Sequence, residues 1–133
     1  VILVDTSAWV EFLRATGSAT HHQVRELLTA DAPLATTEVV LMELLAGART
    51  AQDAADVRRL LLRGELLTVQ TPTDWEAAAD LFGRCRRQGQ IVRTLSDCLV
   101  AAVAIRHDVP VLHCDRDFDV LVRHTSLQSV APA

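Results

Sequence analysis

The spacing of apolar positions changes repeatedly along this chain, and each change predicts an element. Val1, Ile2, Leu3 and Val4 form an unbroken, mostly β-branched run, which predicts a short strand buried on both faces. Residues 34–36, 66–70, 109–112 and 127–130 give four further strand signals. Between them, apolar residues recur at helical spacing. Residues 7–14 carry Trp9, Val10, Phe12 and Leu13 and stop near Gly17. Thr20 followed by Gln23 fits a capping box ahead of the stripe Val24, Leu27 and Leu28. Residues 39–48 predict a strongly apolar helix, and Thr50 opens another with Val57, Leu60 and Leu61 inward, ending at Gly64. Thr73-x-x-Glu76 is a second capping box, leading through Trp75, Ala78, Ala79 and Phe82. Ser96 and Asp97 start a helix whose body, 99–105, is almost wholly apolar and is therefore expected to pack on more than one side. A short helix through Val120, Leu121 and Val122 precedes the last strand. Strands that alternate with helices from end to end imply an α/β fold with a largely parallel sheet covered on both faces.

Composition narrows this picture. With 133 residues, half of them hydrophobic, the chain can form a single domain over 1–133 with a real core. Its apolar runs fall well short of the roughly 20 residues needed to span a bilayer, so no membrane association is expected. No charged-then-apolar leader precedes the first strand, so a secretion signal is not expected either. Cys85, Cys98 and Cys114 are odd in number and lack CxxC spacing, which argues against a disulfide framework or a structural zinc site and makes a reducing cytoplasm the default location. All 13 basic residues are Arg, as in the product of a GC-rich genome. The net charge of −4 argues against bulk electrostatic binding to nucleic acid, so any such binding needs a local basic patch.

Four acids stand out by context. Asp5 ends the first strand, Asp115 follows the fourth, Glu43 interrupts an apolar helix and Asp97 opens one. Parallel strands place Asp5 and Asp115 at one sheet edge, and right-handed crossovers bring the following helix starts to that edge. Each acid also has an ordinary reading. Asp5 or Ser7 could cap a helix, Asp97 could sit in a helix dipole, and Asp115, Asp117 and Asp119 could form a solvated turn. Glu43, flanked by Val39, Val40, Leu44 and Leu45, would be costly to bury without a partner. Taken together, four carboxylates in reach of one another repel unless protonated or neutralised by cations. Hard oxygen ligands suit Mg²⁺, with Mn²⁺ as a substitute. Such ions activate water for attack on a phosphodiester.

Residues 81–96 contain no acid, while Arg84, Arg86, Arg87 and Arg93 cluster around Gly89. Placed just ahead of Asp97, this island suits contact with a phosphate backbone, because Arg binds phosphate in bidentate fashion. Arg14 is a weaker candidate. The five His show no ligand-type spacing, and the Cys residues are expected to be core.

The segments Val4-Asp5-Thr6-Ser7-Ala8, Met42-Glu43-Leu44-Leu45-Ala46-Gly47, Ser96-Asp97-Cys98-Leu99-Val100-Ala101-Ala102 and Val111-Leu112-His113-Cys114-Asp115-Arg116-Asp117-Phe118 together resemble the PIN domain, specifically the VapC-type toxins of bacterial VapBC toxin–antitoxin pairs. The resemblance implies a three-layer α/β/α domain with a five-stranded parallel sheet, a Mg²⁺-dependent endoribonuclease site, a homodimer, and an antitoxin whose C-terminal arm occludes that site. It carries metal-binding and catalytic roles onto Asp5, Glu43, Asp97 and Asp115, with Asp117 an auxiliary metal ligand. Ser7 becomes the hydroxyl that positions substrate or a metal-bound water. Beside it, Arg86, Arg87 and Arg93 of the basic island are expected to bind RNA substrate. His113 departs from the pattern, since similar proteins often carry Thr or Ser there. Two other classes compete. A non-catalytic acidic module would bind RNA or a basic peptide through the same charges. A phosphotransfer receiver needs a Lys, and this chain has none.

Overall fold

The structure, a computed structural model, describes residues 1–130. Its elements in order are β1 (Ile2–Val4), α1 (Thr6–Leu13), α2 (Ala19–Thr29), β2 (Leu34–Thr36), α3 (Glu38–Gly47), α4 (Ala51–Leu61), β3 (Glu65–Leu66), α5 (Thr73–Arg87), α6 (Leu95–His107), β4 (Val111–Leu112) and α7 (Arg116–His124). The sheet is parallel throughout, in the order β3-β2-β1-β4, and helices cover it. The expected α/β/α class holds.

Four strands rather than five make up this sheet. The residues read as a fifth strand meet β4 only through a single parallel bridge, Val111 to Ser129. Val111 N–H donates to Gln128 O, and Val130 N–H donates to Val111 O, each at 3.0 Å. β3 is likewise shorter than expected, two residues in place of 66–70. Gly64 sets its entry, because a Cβ there would collide with the Leu34 carbonyl of β2.

Caps also differ from the local patterns. α2 is capped by Ser18, whose Oγ accepts the His21 N–H at 3.0 Å, while His21 Nδ1 accepts the Gly17 N–H at 2.9 Å. This reciprocal pair starts the helix two residues ahead of the Thr20–Gln23 box. Thr73 makes no cap bond, because α5 begins directly after Pro72 and Thr73 is already helical. α4 opens as expected on Thr50, whose Oγ1 accepts the Asp53 N–H.

α6 holds the core together. Its residues 98–104 are all buried, matching the all-round apolar pattern, and it packs against α3, α5 and α7. Each large side chain so buried contributes roughly 1.5–3 kcal/mol. Leu3 and Val4 of β1, Val111 and Leu112 of β4, and Phe118 and Leu121 of α7 complete the core around it. With β1, β4 and the first turn of α6 fixed in this way, the residues that follow each strand and begin α6 have little freedom.

Candidate active site

Asp5 is the first residue after β1 and is 3% exposed. It is itself the N-cap of α1: its Oδ2 accepts the Ser7 N–H at 3.0 Å and the Ser7 hydroxyl at 2.7 Å. Capping therefore belongs to Asp5 and not to Ser7. Ser7 Oγ in turn accepts the Cys114 N–H at 2.9 Å, so one hydroxyl ties the end of β1 to the loop after β4. Burial raises the Asp5 carboxyl above its ordinary value. The hydrogen bonds from Ser7 and the Thr6 amide oppose that rise, and the charge of Asp115 adds to it.

Across the sheet edge, Asp115 caps α7 by accepting the Asp117 N–H at 2.9 Å. His113 supports that turn, with Nδ1 accepting the Asp115 N–H at 3.3 Å and the ring stacked on Phe118. Its Nε2 lies 3.7 Å from Asp119, which is exposed. Asp97 comes from the first turn of α6. Oxygens of Asp97, Asp115 and Asp117 lie within 4.8 Å of one another, the one such acid group among the described residues. The Asp97 carboxyl is pushed up to about 7, first by burial and then by the charge of Asp5. A hydrogen bond with Thr94 opposes the shift, and Asp115 and Asp117 add to it. The part of this rise that comes from Asp5, Asp115 and Asp117 is the repulsion expected of converging carboxylates, and a cation would relieve it. An all-carboxylate oxygen set of this kind suits a hard divalent ion.

Glu43 departs from expectation. It is exposed and needs no buried partner, since this part of α3 opens onto a groove. Its Oε1 accepts the Thr6 hydroxyl at 2.9 Å. Partial loss of water raises its carboxyl, the Thr6 bond lowers it, and the charge of Asp5 raises it again. Glu43 thus joins the site at its rim, through Asp5. The groove beside it, about 470 Å³, lies between α1, α3 and α4 and is lined by Val10, Leu13, Arg14, Leu44, Arg49 and Val57 among others.

The fold splits the Arg island. Arg84 pairs with Asp80 one turn back, at 3.0 Å. Arg86 lies over the Phe82 ring, 5.6 Å from its centroid. Arg86 and Arg87 are both exposed in the last turn of α5 and hydrogen-bond to none of the acids. Arg93 alone reaches the cluster, bonding to both Asp115 and Asp117. Two hydroxyls here have no role that the sequence assigns, Thr6 on Glu43 and Thr94 on Asp97. Their only signal was nearness in the chain to a suspected acid.

A model of the family described as PIN domain matches residues 2–123. The chain is 44% identical over 132 residues to the VapC ribonuclease Mb1587 of Mycobacterium bovis and to ribonuclease VapC11 of Mycobacterium tuberculosis, covering 98% of this chain and 98% of each relative. Among solved structures, it is similar to VapBC-5 of Mycobacterium tuberculosis, a member of the VapBC family of toxin–antitoxin systems (TM-score 0.64, 27% identity, 96% of this chain and 95% of that one). It shares its fold with VapBC2 of Rickettsia felis, solved bound to a promoter DNA fragment (TM-score 0.74, 19% identity, 97% and 96%).

Proposed function

The chain belongs to the PIN domain family, and on that premise we propose that it is a Mg²⁺-dependent endoribonuclease, the toxin of a type II toxin–antitoxin pair, which inhibits translation or growth by hydrolysing RNA. The observation that carries this reading is the meeting of Asp97, Asp115 and Asp117 oxygens within 4.8 Å, at the sheet edge where Asp5 is buried. Relatives 44% identical over nearly the whole chain are named as VapC ribonucleases.

Asp97 and Asp115 would hold the ion together with Asp5, and Asp117 would stand beside them as the auxiliary acid. Mg²⁺, or Mn²⁺ in its place, would supply a water activated at neutral pH and charge neutralisation at the leaving oxygen. Ser7 keeps the Asp5 carboxylate oriented and joins the two strand ends, so a substrate phosphate meets a fixed pair of acids. Glu43, held by Thr6, orients the attacking water from the rim. Arg93 faces the phosphate at the site, and Arg86 and Arg87 grip the backbone further along.

The partner is a VapB-type antitoxin. Its C-terminal arm lies in the groove between α1, α3 and α4, whose lining includes Thr6 and Glu43, and places a basic side chain among the acids. A homodimer in the cytoplasm belongs to the same proposal. Separately, no described helix is long and apolar enough to cross a membrane.

The test is cleavage of a defined RNA by purified chain with Mg²⁺, with Mn²⁺ and with EDTA, alongside Asp5→Asn and Asp97→Asn. Cleavage is expected only with the ions, falling at least a hundredfold in each variant. RNA binding without turnover under any divalent ion would replace this reading with that of a non-catalytic acidic module.

A further inference from the structure

Arg93 is bound to the acid cluster more closely than a phosphate-gripping role requires. Its Nη2 donates to Asp115 Oδ1 at 3.0 Å. Its Nε donates to Asp117 Oδ2 at 3.1 Å, with Oδ1 at 3.3 Å. Its backbone N–H also donates to Asp117 Oδ2, at 3.2 Å. These two ends differ in kind. The Asp117 side chain is 4% exposed and is held by two donors of the same residue, one of them main chain. The Asp115 side chain is 27% exposed and that of Arg93 64%. The outer bond is therefore a solvent-facing ion pair, which contributes little and exchanges readily.

A divalent ion seated on Asp115 would stand next to the guanidinium that occupies it here, and two cations on one carboxylate repel. The inner bonds are harder to displace, because the Asp117 carboxylate is nearly buried and takes two donors from Arg93, one of them main chain.

We propose, resting on the ion-site reading above, that Arg93 is a two-position cation pivoting on Asp117. Without an ion, Nη2 neutralises Asp115. When a divalent ion takes Asp115, Nη2 is released while Nε stays on Asp117, which leaves an anchored guanidinium beside the ion with free N–H donors for an RNA phosphate. Asp117 is then the anchor of Arg93 before it is an ion ligand. Arg93 acts as a positioning residue that also sets how readily the site loads.

The experiment is Mn²⁺ titration by calorimetry of the full chain and of Arg93→Gln and Arg93→Lys, without RNA. Removing the competing cation should tighten Mn²⁺ binding about fivefold in Arg93→Gln. Arg93→Lys keeps one charge but cannot span both acids, so it should fall between Arg93→Gln and the parent. The Arg93 Nε–H NMR signal, assigned by its loss in Arg93→Gln, should persist when Mg²⁺ is added. A parent that binds Mn²⁺ while both variants bind equally or more weakly overturns the pivot alone, since Arg93 would then only order the acids. Loss of the Nε–H signal on adding Mg²⁺ also overturns it. A parent that binds no divalent ion overturns the ion site and the pivot together.

Discussion

Replacing Asp97 with Asn should remove activity and, in the ion-free protein at neutral pH, increase stability. The Asp97 carboxyl titrates at about 7 in the folded chain against 3.8 ordinarily, raised by burial first and by Asp5, Asp115 and Asp117 as well. An acid raised on folding keeps its proton in the folded state after the unfolded chain has lost it. The Asp97 contribution to stability therefore falls as pH rises from about 4 to about 7, and is level above that. A shift of this size corresponds to an upper limit of about 4 kcal/mol. Asp97 is only partly buried, and screening by the water it keeps reduces this to roughly 2 kcal/mol. Asn keeps the shape without the charge. The variant should match the parent near pH 4 and exceed it by roughly 2 kcal/mol at pH 8, or about 6 °C in Tm for a chain of this size.

Urea unfolding in EDTA from pH 4 to pH 8 measures the difference, in which the titrations of groups remote from Asp97 cancel. Saturating Mg²⁺ should reverse the order, because an ion bound only to the folded parent stabilises the parent. A difference that does not change with pH, or a variant less stable at pH 8, would refute the claim that the acids converge as described.

Two further outcomes follow from the hydrogen bonds. Ser7→Ala removes one donor to Asp5 and the acceptor of the Cys114 N–H; it should cost about 1–2 kcal/mol in urea unfolding and lower kcat about tenfold, with KM for RNA little changed. Asp74 is buried, and Arg106 donates to it through Nε and Nη2, each at 2.9 Å, while Nη2 also holds the Thr68 carbonyl at 2.7 Å. Burial raises the Asp74 carboxyl, but the Arg106 and Gln70 hydrogen bonds and nearby positive charge outweigh it and hold it below its ordinary value. Arg106→Met should therefore destabilise by about 3 kcal/mol near pH 7. That penalty should fade as pH falls through the Asp74 titration below about 4, and cleavage per folded molecule should stay at the parent level.

The acids were legible in the sequence because each breaks the local pattern around it, and topology decides where strand ends and helix starts meet. Asp5, Asp97 and Asp115 needed only the order of elements. Glu43 shows the limit of that reasoning. By helical geometry it lies on the same side of α3 as Val39 and Val40, so its apolar flanks read as burial. One turn further on, that side faces the groove beside α1, and Glu43 is exposed. Burial of a helix face depends on what stands opposite at each turn, which is not written in the helix itself. The Arg island shows the same limit from the other side. Arg84, Arg86 and Arg93 are close in sequence, but helix spacing gives Arg84 to Asp80 and Arg86 to Phe82, and only the loop residue Arg93 reaches the cluster. The capping boxes at Thr20 and Thr73 were overridden by nearer features, Ser18 with His21 in one case and Pro72 in the other. Thr6 and Thr94 fall between these cases. Each lies within three residues of an acid and bonds in the site, but Thr6 bonds to Glu43 on another helix. A hydroxyl beside a suspected ligand acid is thus worth testing before the structure is known, although the acid it serves need not be its neighbour in the chain.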